Sequence, residues 1–419
     1  MSLVFKYGYP KGFLLFLFLV LIFITIKQPA YSNEFVINVT GNKRTKTKFI
    51  RDLVEEYLTD DNITDISKVD EKSLKEHIYN TKLFSEVDIT IEEEKVNIAV
   101  KERWTLISIP FFATSGDEDT KFGFFILERN FLGYGKAVSL GAMLSENQES
   151  YFAMYRDKSV LSSNWTLMTN IGKSDNNYYI YKGEDKIYGI NQKSENLNLS
   201  VGYKFFNSFR SEIGIEGREN TYHQLETYSV LDDYETIISR LNLHWDFSNY
   251  RLYFQEGIRA NAGLKYQVYR DDKVDKNYGF LTNLSWQKQL FKNNVLQALV
   301  KGSYIEDGDE RDDLRIGGTT GFRGIFSSGV WVKGYLTGSL DYQIPLKFSK
   351  YGTWTVAPFC DIGYLRKRFP EKDTELYVAS GLGTYFYLKN IAIPGAGLQV
   401  GHNTKYEELF FKFSIGFAF

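Results

Sequence analysis

LFFKFSIGFAF, residues 409–419, is the stretch on which the reading of the fold turns. Leu409, Phe411, Phe413, Ile415, Phe417 and Phe419 fall on one face of an extended chain, with Lys412, Ser414, Gly416 and Ala418 on the other. A run of this length matches the roughly 9–11 residues with which a strand tilted by about 45° crosses the hydrocarbon of a bilayer. In a soluble sandwich the same alternation would face a core, so the rest of the chain has to decide. Its 33 Phe, 30 Tyr and 34 Gly against four Met and seven Pro are the profile of strands that meet lipid and cross two interfaces. Beyond the N-terminal region no segment offers 18 uncharged apolar residues. Any crossing there must be made by strands closed into a barrel.

Working back from that stretch, alternating segments are expected near 294–305, 277–290, 250–264, 234–247, 210–219, 195–206, 177–190, 162–171, 149–157, 134–145 and 120–129. Those near 331–344, 353–365, 374–387, 391–402 and 409–419 follow a long interruption. The spacing therefore predicts eleven strands before the interruption and five after it. Sixteen is an even number, as an antiparallel closed barrel requires. The barrel is expected to occupy 104–419.

The interruption, EDGDERDDLRIGGTTGFRGIFSS at 306–328, is longer than ordinary connections. Its acidic half, Glu306 to Asp313, is expected to be hydrated. Its second half sets Gly317, Gly318, Gly321 and Gly324 around Phe322 and Arg323, permitting a compact turn with close backbone approach. Alternation in 353–365 places Val356, Pro358, Cys360, Ile362 and Tyr364 toward lipid, and Phe359, Asp361 and Gly363 toward the lumen. In 331–344, Leu336, Leu340, Tyr342 and Ile344 point out, and Thr337, Ser339 and Asp341 point in. Carboxylates are costly in lipid, which favours this assignment. If the loop of 306–330 folds inward, Arg323 reaches Asp361 and rests on Phe359, combining a charge-assisted hydrogen bond with a cation–π contact of roughly 0.5–2 kcal/mol.

Upstream, Lys6 and Lys11, an uncharged run from Gly12 to Ile26, Lys27, and the small residues Ala30 and Ser32 have the layout of an export signal over 1–32. Residues 33–103 read as a small α+β domain. Phe35, Ile37 and Val39 give a strand; Phe49, Ile50, Leu53, Val54, Tyr57 and Leu58 give the apolar face of a helix. A second helix capped by Asp70 carries Leu74 and Ile78. Two strands follow, over Val87 to Ile91 and Val96 to Val100. The exposed edges of such a sheet, at 34–41 and 85–101, are places where an extended peptide adds as a strand.

The net charge of −2 and the lack of a basic block argue against nucleic acid. The single Cys360 excludes an intramolecular disulfide or a thiolate-rich metal site. His77 reads as a surface or helix-packing residue. His223, His244 and His402 are scattered, and no G-x-S-x-G serine elbow is present. No enzyme, cofactor or metal is expected.

Residues 34–103, with VTGNKRTKTKFI at 39–50 and LFSEVDITIEEEKVNIAVKER at 83–103, resemble a POTRA domain. ERNFLGYGKAVSLG at 128–141, GGTTGFRGI at 317–325, PFCDIG at 358–363, GLGTYFYLKNIAIPGAGLQVGH at 381–402 and the terminal Phe419 resemble, in that order, segments of Omp85 outer-membrane barrels. The resemblance covers the chain beyond the signal. It implies a sixteen-stranded barrel in the bacterial outer membrane with one POTRA domain in the periplasm. Arg323, flanked by Phe322 and Gly324, then matches the tip of the lumenal loop, with Phe359 and Asp361 at the positions that hold it; Asp341, read as inward from alternation, completes the expected lock. Family function is to insert other barrels into the outer membrane or to move polypeptides across it, without ATP at the barrel. The implied partners are the outer-membrane bilayer, unfolded clients or β-barrel precursors, and periplasmic chaperones or accessory subunits. Insertion in the family involves a seam between first and last strands, expected here at Lys121–Arg129 and Leu409–Phe419. A passive channel for small solutes on the same scaffold is the alternative.

Overall fold

The computed structural model describes residues 36–60, 63, 65–92, 95–115, 118–182, 185–225, 232–251, 253–270, 277–306, 312, 314–316, 322–325, 330–367, 373–388, 394–405 and 408–415. The expected signal over 1–32, the loop glycines Gly317, Gly318 and Gly321, most of the acidic run, and Phe417 and Phe419 lie outside them.

A small α/β unit comes first: β1 (Val36–Thr40), α1 (Thr47–Asp60), a 3₁₀ turn (Ile66–Lys68), α2 (Glu71–Asn80), β2 (Phe84–Glu92) and β3 (Lys95–Glu102). α2 starts where Asp70 accepts hydrogen bonds from the backbone N–H groups of Lys72 and Ser73, relieving two of the orphan donors of the first turn. The sheet order is β1-β3-β2, with β1 parallel to β3. β3 is therefore the central strand, and the expected edge over 85–101 narrows to β2. Ile50, Val54, Leu58, Leu74 and Ile78 on the helices close over Val87, Val96 and Ile98 on the sheet, all nearly inaccessible. That burial is the main stabilising term for a unit this small.

The barrel runs β4 (Leu106–Ser115), β5 (Glu118–Phe131), β6 (Lys136–Leu144), β7 (Gln148–Asp157), β8 (Trp165–Lys182), β9 (Asp185–Phe206), β10 (Phe209–Gln224), β11 (Tyr234–Tyr250), β12 (Gln255–Arg270), β13 (Asn277–Gln289) and β14 (Val295–Glu306). After the short β15 (Leu314–Ile316) come β16 (Val330–Phe348), β17 (Gly352–Lys367), β18 (Thr374–Leu388), β19 (Pro394–Asn403) and β20 (Glu408–Ile415). β14 pairs directly with β16, and β15 adds three residues beside the end of β16. The wall thus has sixteen full-length antiparallel strands, eleven before the loop and five after it, closed by β20 against β4.

The count agrees with the expectation, but two of its parts do not. Leu106–Ser115 is a strand that the sequence reading leaves out; it holds Pro110, a residue uncommon in strand interiors. Pro110 lies opposite Phe124 of β5, and among the described residues β4 pairs with the last strand at Phe112 to Ser115. Conversely, the three segments expected at 162–171, 177–190 and 195–206 are two long strands, β8 and β9, and 177–190 spans their hairpin end. Both are longer than a bilayer crossing needs. Their polar stretches around Lys173 and Glu195, which read as turns, are ladder held by a 2.7 Å salt bridge between those two residues.

Side chains sort by face. Phe122, Leu140, Ile171, Ile213, Leu264, Leu340, Ile362 and Leu382 are exposed around the outside of the wall, whereas Glu216, Asn220, Gln343, Thr355, Asp361, Gln399 and Ser414 are buried inside. An apolar exterior around a polar interior is the signature of a barrel in lipid. Among the described residues no helix is long and apolar enough to cross a membrane.

Candidate functional site

The densest buried charge near the loop lies where residues 322–325 enter the lumen. Three consecutive residues each use a different kind of interaction there. Phe322 is 1 % exposed, wedged against Gly363 and edge-on to Tyr377 with ring centroids 6.2 Å apart. A side chain at 363 would occupy the space of the Phe322 ring, so the strand cedes a position to the loop.

Arg323 fills the centre. Its Nε donates to Asp361 Oδ2 at 2.7 Å, Nη1 to Asp341 Oδ2 at 3.1 Å and Nη2 to Asp341 Oδ1 at 2.7 Å. A further Nη2 bond reaches Asp361 Oδ1, and the Arg323 backbone N–H donates to Asp361 Oδ2 at 3.2 Å. The guanidinium carbon lies 3.8 Å from the centroid of Phe359. Bidentate pairing to two carboxylates uses the planar fork of arginine in a way that lysine cannot reproduce. The Asp361 side chain is fully buried, so loss of Arg323 would leave a buried carboxylate without this partner.

Gly324 completes the turn with φ of +79°. A Cβ there would sit 2.8 Å from the ring of Phe410 and 3.2 Å from Cβ of Asn403. The Asn403 side-chain amide donates to the Gly324 carbonyl at 2.6 Å. Phe410 lies on β20 with its ring tilted against that of Phe359, centroids 6.3 Å apart. The three loop residues therefore touch β16, β17, β18, β19 and β20, the entire wall that follows the loop.

The closure lies next to these contacts. β20 meets β4 through Lys412–Ser115, Phe413–Thr114, Ser414–Ala113 and Ile415–Phe112. Those are the pairs described at this junction, where β20 is described as far as Ile415. The seam expected at Lys121–Arg129 is corrected to β4, because β4 is the true first strand.

At one end of the barrel the small unit sits on the rim. Lys46 N–H donates to the Gly133 carbonyl at 2.9 Å and Asn130 Nδ2 to Thr45 Oγ1 at 2.9 Å. Phe49 packs on Gly135, where φ is +64° and a Cβ would enter the ring. Lys48 and Asp52 both bond Ser162, Glu56 pairs with Lys204, and Asn80 bonds Asn249 and the Tyr250 N–H at 3.0 Å. Arg103 stacks 5.0 Å from Tyr79 and 5.5 Å from Tyr250. Within the unit, burial alone would raise the Glu102 carboxyl. Backbone N–H groups of Thr45 and Arg44, at 2.6 and 3.0 Å, outweigh it and hold the group below the ordinary glutamate value.

Of the sequence-derived residues, Phe322, Arg323, Gly324, Asp341, Phe359 and Asp361 are brought together in one cluster. Tyr377, Asn403 and Phe410 belong to it and were missed, since their contribution depends on register between distant strands. His77 packs on Tyr57 with centroids 5.9 Å apart, and His244 lines the lumen. Among the described residues no group of three or more His, Cys, Asp or Glu is arranged to hold a metal.

A closed lipid-facing barrel with an inward loop clamped by buried charge, and a small α/β unit docked on its rim, defines a transmembrane β-barrel of outer-membrane type. Residues 130–419 match the Omp85 superfamily domain, and the chain belongs to that superfamily. No curated protein matches it. Among solved structures it is similar to BamA from Haemophilus ducreyi lacking POTRA domains 1–3, with 15% identity, 92% of this chain and 85% of that chain covered, and a TM-score of 0.59. It is also similar to CdiB from Acinetobacter baumannii at 13% identity, 91% and 73% coverage and a TM-score of 0.62. For CdiB from Escherichia coli the values are 12% identity, 94% and 93% coverage and a TM-score of 0.61. At such identities the likeness is one of fold.

Proposed function

We propose that this protein handles polypeptides at the bacterial outer membrane, assisting the insertion of β-barrel precursors or the passage of polypeptides across the membrane, with the small unit a POTRA domain in the periplasm. The observation that carries this reading is the closure. The junction of β4 with β20, where the first and last strands of the wall meet without a hairpin between them and loop residue Gly324 lies against Phe410 of β20, has backbone donors and acceptors that a client strand could take over. β1 and β2, the two edges of the small sheet, offer a receiving surface of the same kind. The loop cluster acts as a latch: Arg323, bound to β16 and β17, keeps the turn seated while β19 and β20 lean on Gly324.

The test is a lock across the seam. Ala113 and Ser414 face each other directly, a spacing that a disulfide spans. Ala113→Cys with Ser414→Cys, in a Cys360→Ser background, is expected to stop client assembly when oxidised and restore it on reduction. Client loss is read by quantitative outer-membrane proteomics. An oxidised barrel that still supports assembly at the normal level rules the seam out. A passive solute channel is the reading left if depletion changes solute uptake and no outer-membrane protein.

A further inference from the structure

Between the docked helices and the inner wall lies a cavity of about 1110 Å³, larger than an ordinary small-molecule site. Six of its lining residues are cationic, Arg156, Lys158, Lys204, Arg210, Arg259 and Lys301, and two are acidic, Glu56 and Asp246. Glu56 is already paired with Lys204, and Asp246 accepts hydrogen bonds from the backbone and hydroxyl of Ser248. The excess in the lining is positive, and the buried Nε of Arg210 has no hydrogen-bond partner among the described residues, its nearest counter-charge being the Glu212 carboxylate at 4.0 Å. The small domain feels the same field. Lys82 is pushed down to about 8, by burial first and then by Arg129, Lys158 and Arg259.

The strand register shows how these groups are ordered. Lys204 on β9 lies opposite Arg210, Arg210 opposite His244, His244 opposite Asn261, Asn261 opposite Asn283, and Asn283 opposite Lys301 on β14. Lys301 in turn faces Thr337, and Thr337 faces Gly363, the glycine that seats Phe322 of the latch. Directly opposed residues point to the same face of a sheet, so this is one continuous row on the lumenal wall. At roughly 4.8 Å per strand, the five spacings from Lys204 to Lys301 span about 24 Å, the reach of about seven extended residues.

We propose that this row is a groove for an extended acidic segment of a polypeptide, entering beneath the docked helices and running along the inner wall toward the latch. Three of the six cations, Lys204, Arg210 and Lys301, are spread along the row, whereas a single phosphate needs them converged. Between them stand Asn261 and Asn283, with Ser285 and Gln297 also lining the cavity. Amide side chains both donate and accept, which suits a peptide backbone and not a phosphate, an acceptor alone. The inference rests on the polypeptide-handling reading and adds the charge of the segment handled.

The test uses the full chain in lipid nanodiscs and a fluorescent peptide of alternating glutamate and serine, about ten residues long to cover the row. Saturable binding that weakens with salt is expected, with a lysine–serine peptide of equal length failing to bind. Arg210→Gln combined with Arg259→Gln is expected to weaken binding by about tenfold, with heat-dependent gel migration confirming a folded barrel. If that variant does not fold, Lys158→Gln, in the turn after β7, replaces it, with a loss of about threefold expected. Unchanged affinity in the folded variant, equal binding of the lysine peptide, or displacement by inorganic pyrophosphate at equal charge overturns the proposal. If the acidic peptide fails to bind while the oxidised seam still blocks assembly, the groove falls and the proposed function stands. Binding together with a seam lock that has no effect gives the opposite result.

Discussion

The latch in the lumen and the docking of the small domain on the rim are both contacts between segments far apart in sequence, yet they are held by opposite means. The latch concentrates its hold in one guanidinium, 12 % exposed, between two carboxylates, one fully buried. Docking spreads over Thr45, Lys46, Phe49, Glu56, Asn80 and Arg103, through neutral hydrogen bonds, partly exposed pairs and ring contacts. Removing one partner of a buried ion pair leaves the other charge stranded, whereas losing one bond of a distributed set costs about 1 kcal/mol. The first arrangement behaves as all or none. The second lets the small domain rock on its rim without undoing the barrel.

Four substitutions or conditions sharpen that contrast. The largest effect is expected of Arg323→Ala, about 3–5 kcal/mol in seating of the loop, read as faster hydrogen exchange and proteolysis near 322–325. Adding Asp361→Asn should recover part of the loss, because the stranded charge is then gone. Protection equal to that of the native chain would show that the loop is held by something else. Gly324→Ala comes next, at roughly 1–3 kcal/mol, since an alanine must adopt a positive φ and displace Phe410. Its signature is loosened protection on β20 as well as on the loop.

At the rim, Gly135→Ala should cost about 1–2 kcal/mol of docking, measured as a broadened interspin distance between the small domain and the barrel. Latch protection should stay as it was; a fall in both would mean that the two regions are coupled. The smallest effect is that of acid on Glu102. Because its folded-state carboxyl titrates below the ordinary value, its stabilising contribution is present above that value and is lost as pH falls through the folded one. Exchange protection at Arg44 and Thr45 should drop at acid pH, and Glu102→Gln should remove the dependence.

Much of this was legible in the sequence where physics is local. Period-two alternation over 353–365 assigns Asp361 inward and Cys360 outward without reference to any other strand, and the faces in the structure agree, Asp361 buried and Cys360 exposed. Four apolar turns of helix and the Asp70 cap likewise read directly. Reading failed where neighbours override the local signal. Pro110 argues against a strand, but β4 carries it opposite Phe124 of β5. The polar runs in β8 and β9 look like turns, yet beyond the bilayer a ladder has no need of an apolar face.

The sequence by itself determined that this chain crosses a membrane as a closed barrel of strands, because alternation, composition and the need to satisfy every backbone group in lipid point to that solution; the total of sixteen agrees although β4 is left out and β8 and β9 read as three strands. It also set out the arginine, the aromatic ring and the two carboxylates of the latch. Only the tertiary structure decided which strands meet at the seam, that Phe410 and Asn403 close over Gly324, and that cations from β9 to β14 stand in one row. Those facts depend on register between strands, and register is set by the whole closed wall and not by any segment of it.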